Sequence, residues 1–307
     1  MIKPGFFRRH VQATGNDLEL AHLDVAQDYI LEYMRREELF DGYVVFKGGT
    51  ALRKFVFGRD GRLSTDLDFG LLVDDLSMAD YVLDVVDRMD FGGVRTRIKR
   101  RKGANADLEL ETSIGAVNQY AAISIRKQVP WLPTARIQPR PFEALDRGLD
   151  DSKDFTRTII PIVDPREIAA EKMAAFWRRR AARDLYDLEH LGRALQASFD
   201  GEAICTLGVL KIYFDVVDEK LGRPLPQPDE ILACSTRDVQ GQEDLGHLRS
   251  SITDLEDLLH RCRQRYRALG SADPEVGRLA MECNPRDRRN AVLVRDTLVK
   301  RMSTPGW

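Results

Sequence analysis

Several features are missing from this 307-residue chain, and each absence excludes something. No stretch approaches the roughly 20 consecutive apolar residues that a membrane-spanning helix needs. The first twenty residues, MIKPGFFRRHVQATGNDLEL, hold no continuous apolar core of the signal-peptide kind, so a cytoplasmic protein is expected. The four cysteines, Cys205, Cys234, Cys262 and Cys283, are far apart and form no Cys-x-x-Cys pair. They are expected as reduced, mostly packed thiols. The five histidines, His10, His22, His190, His247 and His260, make no His-Glu-x-x-His and no clustered ligand set, which speaks against a structural zinc site. Internal repeats and low-complexity segments are also missing.

A composition of 43% hydrophobic and 31% charged residues suits a globular protein long enough for two domains. The formal net charge of −2 hides uneven local charge. Arg95, Arg97, Lys99, Arg100, Arg101 and Lys102 form one basic run, and Arg178, Arg179, Arg180 and Arg183 a second. The last third adds Arg261, Arg263, Arg265, Arg267, Arg286, Arg288 and Arg289. Such runs are either solvated surface or places where one face holds a polyanion.

Apolar spacing predicts a helix over 17–39, with Leu20, Leu23, Gln27, Ile30, Leu31 and Met34 along one side. The run Tyr43–Phe46 reads as a strand, 50–57 as a helix of about two turns, 67–73 as a strand and 77–89 as an amphipathic helix. Strands are expected over 94–99, 107–112, 121–126 and 156–163. The segment PWLPTARIQPRP, 130–141, is too rich in proline for regular interior structure. From Arg166 onward the pattern turns helical, over 166–197, 202–220, 243–269 and 287–302. A mixed α/β first part, residues 1–163, and a helical second part, residues 164–307, follow: an α+β chain.

One stretch carries chemistry: FKGGTALRKFVFGRDGRLSTDLDF, Phe46 to Phe69. Side chains alternate across a strand, so Asp66 and Asp68 point to the same side. Two neighbouring carboxylates repel unless a cation sits between them, and hard divalent cations prefer oxygen ligands. Gly48 and Gly49, ahead of a helix, permit close backbone approach and offer amide N–H groups to an anion. Thr50 either caps that helix or donates its hydroxyl to a phosphate. Together these parts suit a nucleoside triphosphate whose phosphates share a metal with the aspartates.

Gly-Gly, a short helix and Asp-x-Asp resemble the signature of the polymerase-β-like nucleotidyltransferases. More narrowly, FKGGTALRK followed by Arg62-Leu63-Ser64-Thr65-Asp66-Leu67-Asp68-Phe69 resembles the AbiEii/AbiGii family, the nucleotidyltransferase toxins of type IV toxin–antitoxin systems that include the MenT proteins. The family usually has an acidic residue at the position of Thr65 and a bulkier apolar residue at that of Leu63. A second likeness lies in Glu171-Lys172-Met173-Ala174-Ala175, Arg179 and Arg183-Asp184-Leu185-Tyr186-Asp187-Leu188. It matches a family element in which a lysine precedes Arg-Asp-x-x-Asp-Leu. The resemblance covers about residues 17–195.

The resemblance implies a small mixed sheet in a nucleotidyltransferase core over 1–163, with 164–307 completing the active site and binding the acceptor. It implies that Asp66 and Asp68 bind Mg²⁺, or Mn²⁺ in its place, and that Lys47, Gly48, Gly49, Thr50, Arg62 and Ser64 line the triphosphate. A third carboxylate often completes such a site. Asp107, Glu109 and Glu111 alternate along one strand, and Glu109 is the choice among them, against a plain solvated edge. Lys172 would place a positive charge on the triphosphate, with Asp187 and Asp184 orienting it or the acceptor. In one unbroken helix Lys172 and Asp187 would lie about 22 Å apart. Their joint use therefore requires a break, expected near Arg179–Ala182, where no glycine or proline marks one. The alternative is a single long helix in which Asp184 and Asp187 pair with Arg180 and Arg183.

The implied reaction moves a nucleoside monophosphate from an NTP to an RNA hydroxyl, such as the tRNA 3′ end, releasing pyrophosphate and blocking translation, as in phage defence. A cognate antitoxin is the implied partner, either by direct binding or by phosphorylation of Ser64, which would add nearly two negative charges beside a triphosphate site. Two other readings stay open: the same chemistry on a protein or small-molecule hydroxyl, and a non-catalytic RNA- or protein-binding module.

Overall fold

The apolar run before the glycine pair forms the short strand β1, Val44–Lys47, all four residues buried, and β2, Asp66–Leu71, pairs with it antiparallel. The computed structural model describes residues 2, 4–13, 17–127, 129–137, 159–195, 199–218, 228–241, 254–271, 274–282 and 284–303. By internal contacts the chain divides into two units, one of Met1–Pro130 with Thr134–Val163, the other of Trp131–Pro133 with Asp164–Trp307.

The first unit is built on an eight-stranded mixed sheet. Besides β1 and β2 it holds β3 Asp90–Phe91, β4 Val94–Lys102, β5 Asn105–Thr112, β6 Gly115–Arg126, β7 Ala135–Ile137 and β8 Ile160–Ile162. Their order is β3-β4-β5-β6-β2-β1-β8-β7, with β2–β6 and β1–β8 parallel and the other pairs antiparallel. The expected strands over 67–73, 94–99, 107–112 and 121–126 are all present, most of them longer than expected. Of the strand expected over 156–163, Ile160–Ile162 is formed and 156–158 lies outside the described residues. The proline-rich segment does contain regular structure, because the three residues of β7, Ala135–Ile137, hold no proline and lie at the sheet's edge.

Helices α1 Pro4–Ala13, which apolar spacing did not reveal, α2 Leu18–Arg36 and α4 Ser77–Val86 complete this unit. Asp17 caps α2 by accepting from the Leu20 N–H at 2.9 Å. Alternation gives the sheet two unlike faces. One carries Phe46, Phe69, Ala106, Leu108, Leu110, Ala121 and Ile123, all buried, and α2 packs against β4, β5 and β6. Phe46 and Phe69 are cross-strand partners with ring centroids 5.2 Å apart. The other face carries Lys47, Asp66, Asp68, Ser124, Asp107 and the even-numbered end of β4.

The second unit is helical: α5 Pro165–Arg179, α6 Ala182–Leu195, α7 Gly201–Asp218, α8 Leu255–Arg265, α9 Pro274–Glu282 and α10 Arg288–Met302. Asp164 caps α5 through the Arg166 N–H, and Pro165 takes the first helical position, where its missing donor is harmless. Helix α7 is central, with thirteen buried residues from Ala203 to Val216. Lys211 on it is buried and 2.5 Å from Glu167 on α5. The Glu167 carboxylate also accepts the backbone N–H groups of Trp131 and Leu132, which ties residues 131–133 to these helices. The first part of the helix expected over 243–269, with Leu245, Leu248 and Ile252, lies outside the described residues. No helix among the described residues is long and apolar enough to cross a membrane.

Candidate functional site

Gly48 is where β1 turns into a helix, and its backbone sits at φ +80°, a region that disfavours every residue with a Cβ. A Cβ placed there would lie 2.4 Å from Asp68 Oδ2. The carboxylate therefore occupies the space that a side chain at 48 would take, and the fit needs glycine twice over. Lys47, buried rather than an ordinary surface lysine, is the cross-strand partner of Asp68. Asp66 and Asp68 are half-buried and alternate with fully buried Leu67 and Phe69, so both carboxylates share one face, as the spacing predicts.

The segment after the glycines is helical but not regular. Gly48–Ala51 (α3) winds as an α-helix and Leu52–Phe57 continues with i→i+5 turns, a geometry often found at functional sites. Thr50 neither caps this helix nor stays free for a phosphate, because its hydroxyl donates to the Asp66 carbonyl. This corrects the expected role. Thr50 pins the glycine turn to the start of β2. Thr65 donates to Asp66 Oδ1 at 3.0 Å, so the residue that departs from the usual acidic pattern orients the carboxylate beside it.

Helix α2 holds the same device from its other side, through one helical face. Gln27 Nε2 donates to the Ser64 carbonyl at 2.9 Å. Lys54 Nζ lies 3.1 Å from Asp24 Oδ1 and 2.5 Å from Asp28 Oδ1, Arg53 also pairs with Asp24, and His10 Nε2 is 3.0 Å from Asp24 Oδ2. Burial pushes the Asp24 carboxyl up, but the Arg53 and Lys54 charges, with His10, outweigh it and hold the group well below the usual carboxylate range. Arg62 is buried and Ser64 half-buried in the loop that leads into β2. None of the α2 residues was singled out as functional from the sequence. The available signal was Gln27, a polar side chain in an otherwise apolar stripe.

Glu109, the expected third carboxylate, is not brought together with Asp66 and Asp68. Among the described residues no three His, Cys, Asp or Glu side chains converge. The register explains why. Asp66 is level with Ala122 on β6 and Ala122 with Asp107 on β5, whereas a register shift between Leu108 and Leu110 leaves exposed Glu109 beyond that row. Two carboxylates remain, which suits Mg²⁺, since that ion commonly takes one or two protein carboxylates and fills its shell with water and substrate phosphates.

In the helical unit, Lys172 Nζ is 2.7 Å from Asp187 Oδ2 and 3.5 Å from Asp184 Oδ1. All three side chains are buried. Arg179 grips Asp184 with two hydrogen bonds of 2.7 Å. The three residues meet because the chain breaks at Arg180, which is left-handed at φ 51°, between α5 and α6. The break is held from far away: Gln240 donates to the Arg180 carbonyl and accepts from the Ala182 N–H, both at 2.8 Å. The single long helix, with Asp184 and Asp187 paired to Arg180 and Arg183, is thereby excluded.

The basic runs are largely engaged. Arg178 pairs with Asp215, Arg180 donates to the Ile231 carbonyl, Arg263 to the Leu232 and Cys234 carbonyls, and Arg288 pairs with Asp218.

Residues 30–268 match the family model described as nucleotidyl transferase AbiEii toxin, type IV TA system. The MenT4 nucleotidyltransferase toxin Rv2826c from Mycobacterium tuberculosis H37Rv is similar at 30% identity and a TM-score of 0.84, over 97% of this chain and 99% of that one. JHP933 from Helicobacter pylori aligns at 18% identity with a TM-score of 0.47, over 91% of this chain and 97% of its own. No curated protein matches.

Proposed function

Since the chain belongs to the AbiEii family of nucleotidyltransferase toxins of type IV toxin–antitoxin systems, we propose that it transfers a nucleoside monophosphate from an NTP to an RNA hydroxyl, the 3′ end of tRNA, and so blocks translation. The observation that carries this reading is the seat of Asp68 against Gly48, where a side chain at 48 would collide with the carboxylate. A turn that merely reversed the chain would have no use for such a fit.

Asp66 and Asp68 would hold the divalent ion, whose chemistry is to neutralise charge on the phosphates as pyrophosphate leaves. The first-turn N–H groups after Gly48, together with Lys47, bind phosphate oxygens, and Arg62 and Ser64 line the same stretch. The acceptor oxygen bonds to the α-phosphorus, the bond from that phosphorus to the bridging oxygen breaks, pyrophosphate departs with the electron pair, and the hydroxyl proton passes to water. Within the helical unit, Asp187 and Asp184 hold the Lys172 amine in place. The family implies an antitoxin as partner.

Incubation with total RNA, Mg²⁺ and each NTP labelled at the α-phosphate tests the acceptor. Label on a discrete RNA species is expected. Pyrophosphate release with label on protein or small molecules, and none on RNA, would overturn the acceptor reading while leaving the chemistry intact.

A further inference from the structure

Two strands, β5 and β6, separate the paired aspartates from the basic run on β4, and the register carries one face of the sheet across both of them. Asp66 is level with Ala122, then Asp107, then Arg100; Asp68 is level with Ser124, then Asn105, then Lys102. Partners in register project to the same side, so Arg100 and Lys102 lie on the face that carries both carboxylates, about 14 Å away by strand spacing. Arg97, level with Glu109, joins them two positions along. The opposite face of these strands is buried beneath α2.

The cations of this run divide into two sets. Arg95 is tied to Asp90 and Glu111, and Arg101 turns to Asp80 and Asp84 on α4 at 2.5 and 2.9 Å, because the ladder shifts register between Ile98 and Arg100. Arg97, Arg100 and Lys102 are exposed, and their side chains make no ion pair among the described residues. Tyr120 on β6 is 40% exposed, two positions from Ala122, with Lys99 over its ring at 4.5 Å. Glu109, Glu111 and half-buried Asp107 share the face and oppose an anion; Glu111 is taken up by Arg95, which leaves two carboxylates against Arg97, Lys99, Arg100 and Lys102.

We infer that this face is the track of the acceptor: a single-stranded RNA end lies across β6, β5 and β4, with its phosphates on Arg97, Arg100 and Lys102 and a base against Tyr120. The inference rests on the RNA reading above and adds where the strand runs. A row of cations with no ion pair among the described residues, beside a part-exposed aromatic ring that also holds Lys99, is the chemistry that holds single-stranded nucleic acid without reading its sequence. A duplex would use the phosphates but leave Tyr120 idle, since its bases are already stacked.

Three variants test this, each read out by KM, by the salt dependence of affinity and by direct binding. Replacing Arg97, Arg100 and Lys102 together by alanine is expected to raise KM for RNA at least tenfold and leave KM for NTP unchanged. Loss of three phosphate contacts should flatten the dependence of log affinity on log salt by about 2, at about 0.7 per single-strand contact. Tyr120→Ala should weaken RNA about tenfold with the salt slope kept. Arg97→Lys with Arg100→Lys should restore the slope, which a folding defect would not. Binding of a fluorescent single-stranded oligoribonucleotide is measured in parallel, because it needs no transfer. Unchanged RNA KM and slope in the triple variant would overturn the track alone. Absence of RNA labelling by the unaltered protein would overturn the acceptor reading, and the track would then fall too if the oligonucleotide did not bind, or stand as an RNA site if binding depended on these residues.

Discussion

Gly48→Ala is the most discriminating single substitution. The added methyl carbon would sit 2.4 Å from Asp68 Oδ2, inside the 3.0 Å that such contacts essentially never breach. Relief to ordinary contact moves the carboxylate or the turn by about 1 Å, a misplacement that costs on the order of 10²-fold in rate when it falls on a reacting group. The left-handed backbone adds about 1–2 kcal/mol of strain for any residue with a Cβ. That alone lowers the melting temperature by only a few degrees, at about 2–4 °C per kcal/mol. Gly42→Ala separates the two effects, because Gly42 has φ +101° and nothing within 4 Å of its added Cβ. Both variants should lose stability in thermal unfolding, Gly48→Ala by at least as much as Gly42→Ala because it adds the clash to the strain. Only Gly48→Ala should lose kcat for nucleotide transfer and need more divalent cation to reach half its own maximum. Equal kcat and equal metal requirement in the two variants would refute the reasoning.

Other perturbations follow from the same geometry. Lys172→Met leaves buried Asp187 without its closest cation, so the urea midpoint should fall by the equivalent of about 3 kcal/mol, and Lys172→Arg should recover most of it; an unmoved midpoint would contradict the pairing. Asp24, whose folded carboxyl is held below its unfolded value, contributes stability that is present above about pH 4 and lost as pH falls below it. Denaturant midpoints should therefore drop steeply under pH 4 in the unaltered protein and less steeply in Asp24→Asn. Ser64→Glu, which puts a fixed negative charge beside the triphosphate loop, should abolish transfer while the fold is kept; full activity would remove Ser64 phosphorylation as an off-switch.

The chemistry-bearing stretch was legible because its signals are local. A glycine pair ahead of a helix and a period of two through Asp66 and Asp68 need no knowledge of the rest of the chain. What the sequence left open depends on distant partners. The break at Arg180 carries no glycine or proline, since Gln240, sixty positions on, supplies the backbone bonds that hold it. Alternation groups Asp107, Glu109 and Glu111 alike, and only the register with β6 sets Asp107, rather than Glu109, level with Ala122 and Asp66. The Thr50 hydroxyl is taken up by the Asp66 carbonyl, a partner sixteen positions away that local pattern does not reveal. The basic run on β4 gave no hint that Arg101 turns away from Arg100, because a shift in a ladder is a property of two strands.

The central claim, that Asp66 and Asp68 run nucleotide transfer, is tested most directly by one comparison. Parallel reactions with NTP labelled at the α- or the γ-phosphate are run with the unaltered protein, Asp66→Asn and Asp68→Asn, each checked for an unchanged melting temperature. The unaltered protein should place α-label on the acceptor and release γ-label as pyrophosphate, and both aspartate variants should do neither. Transfer that persisted in either variant at more than about a hundredth of the unaltered rate would contradict the claim.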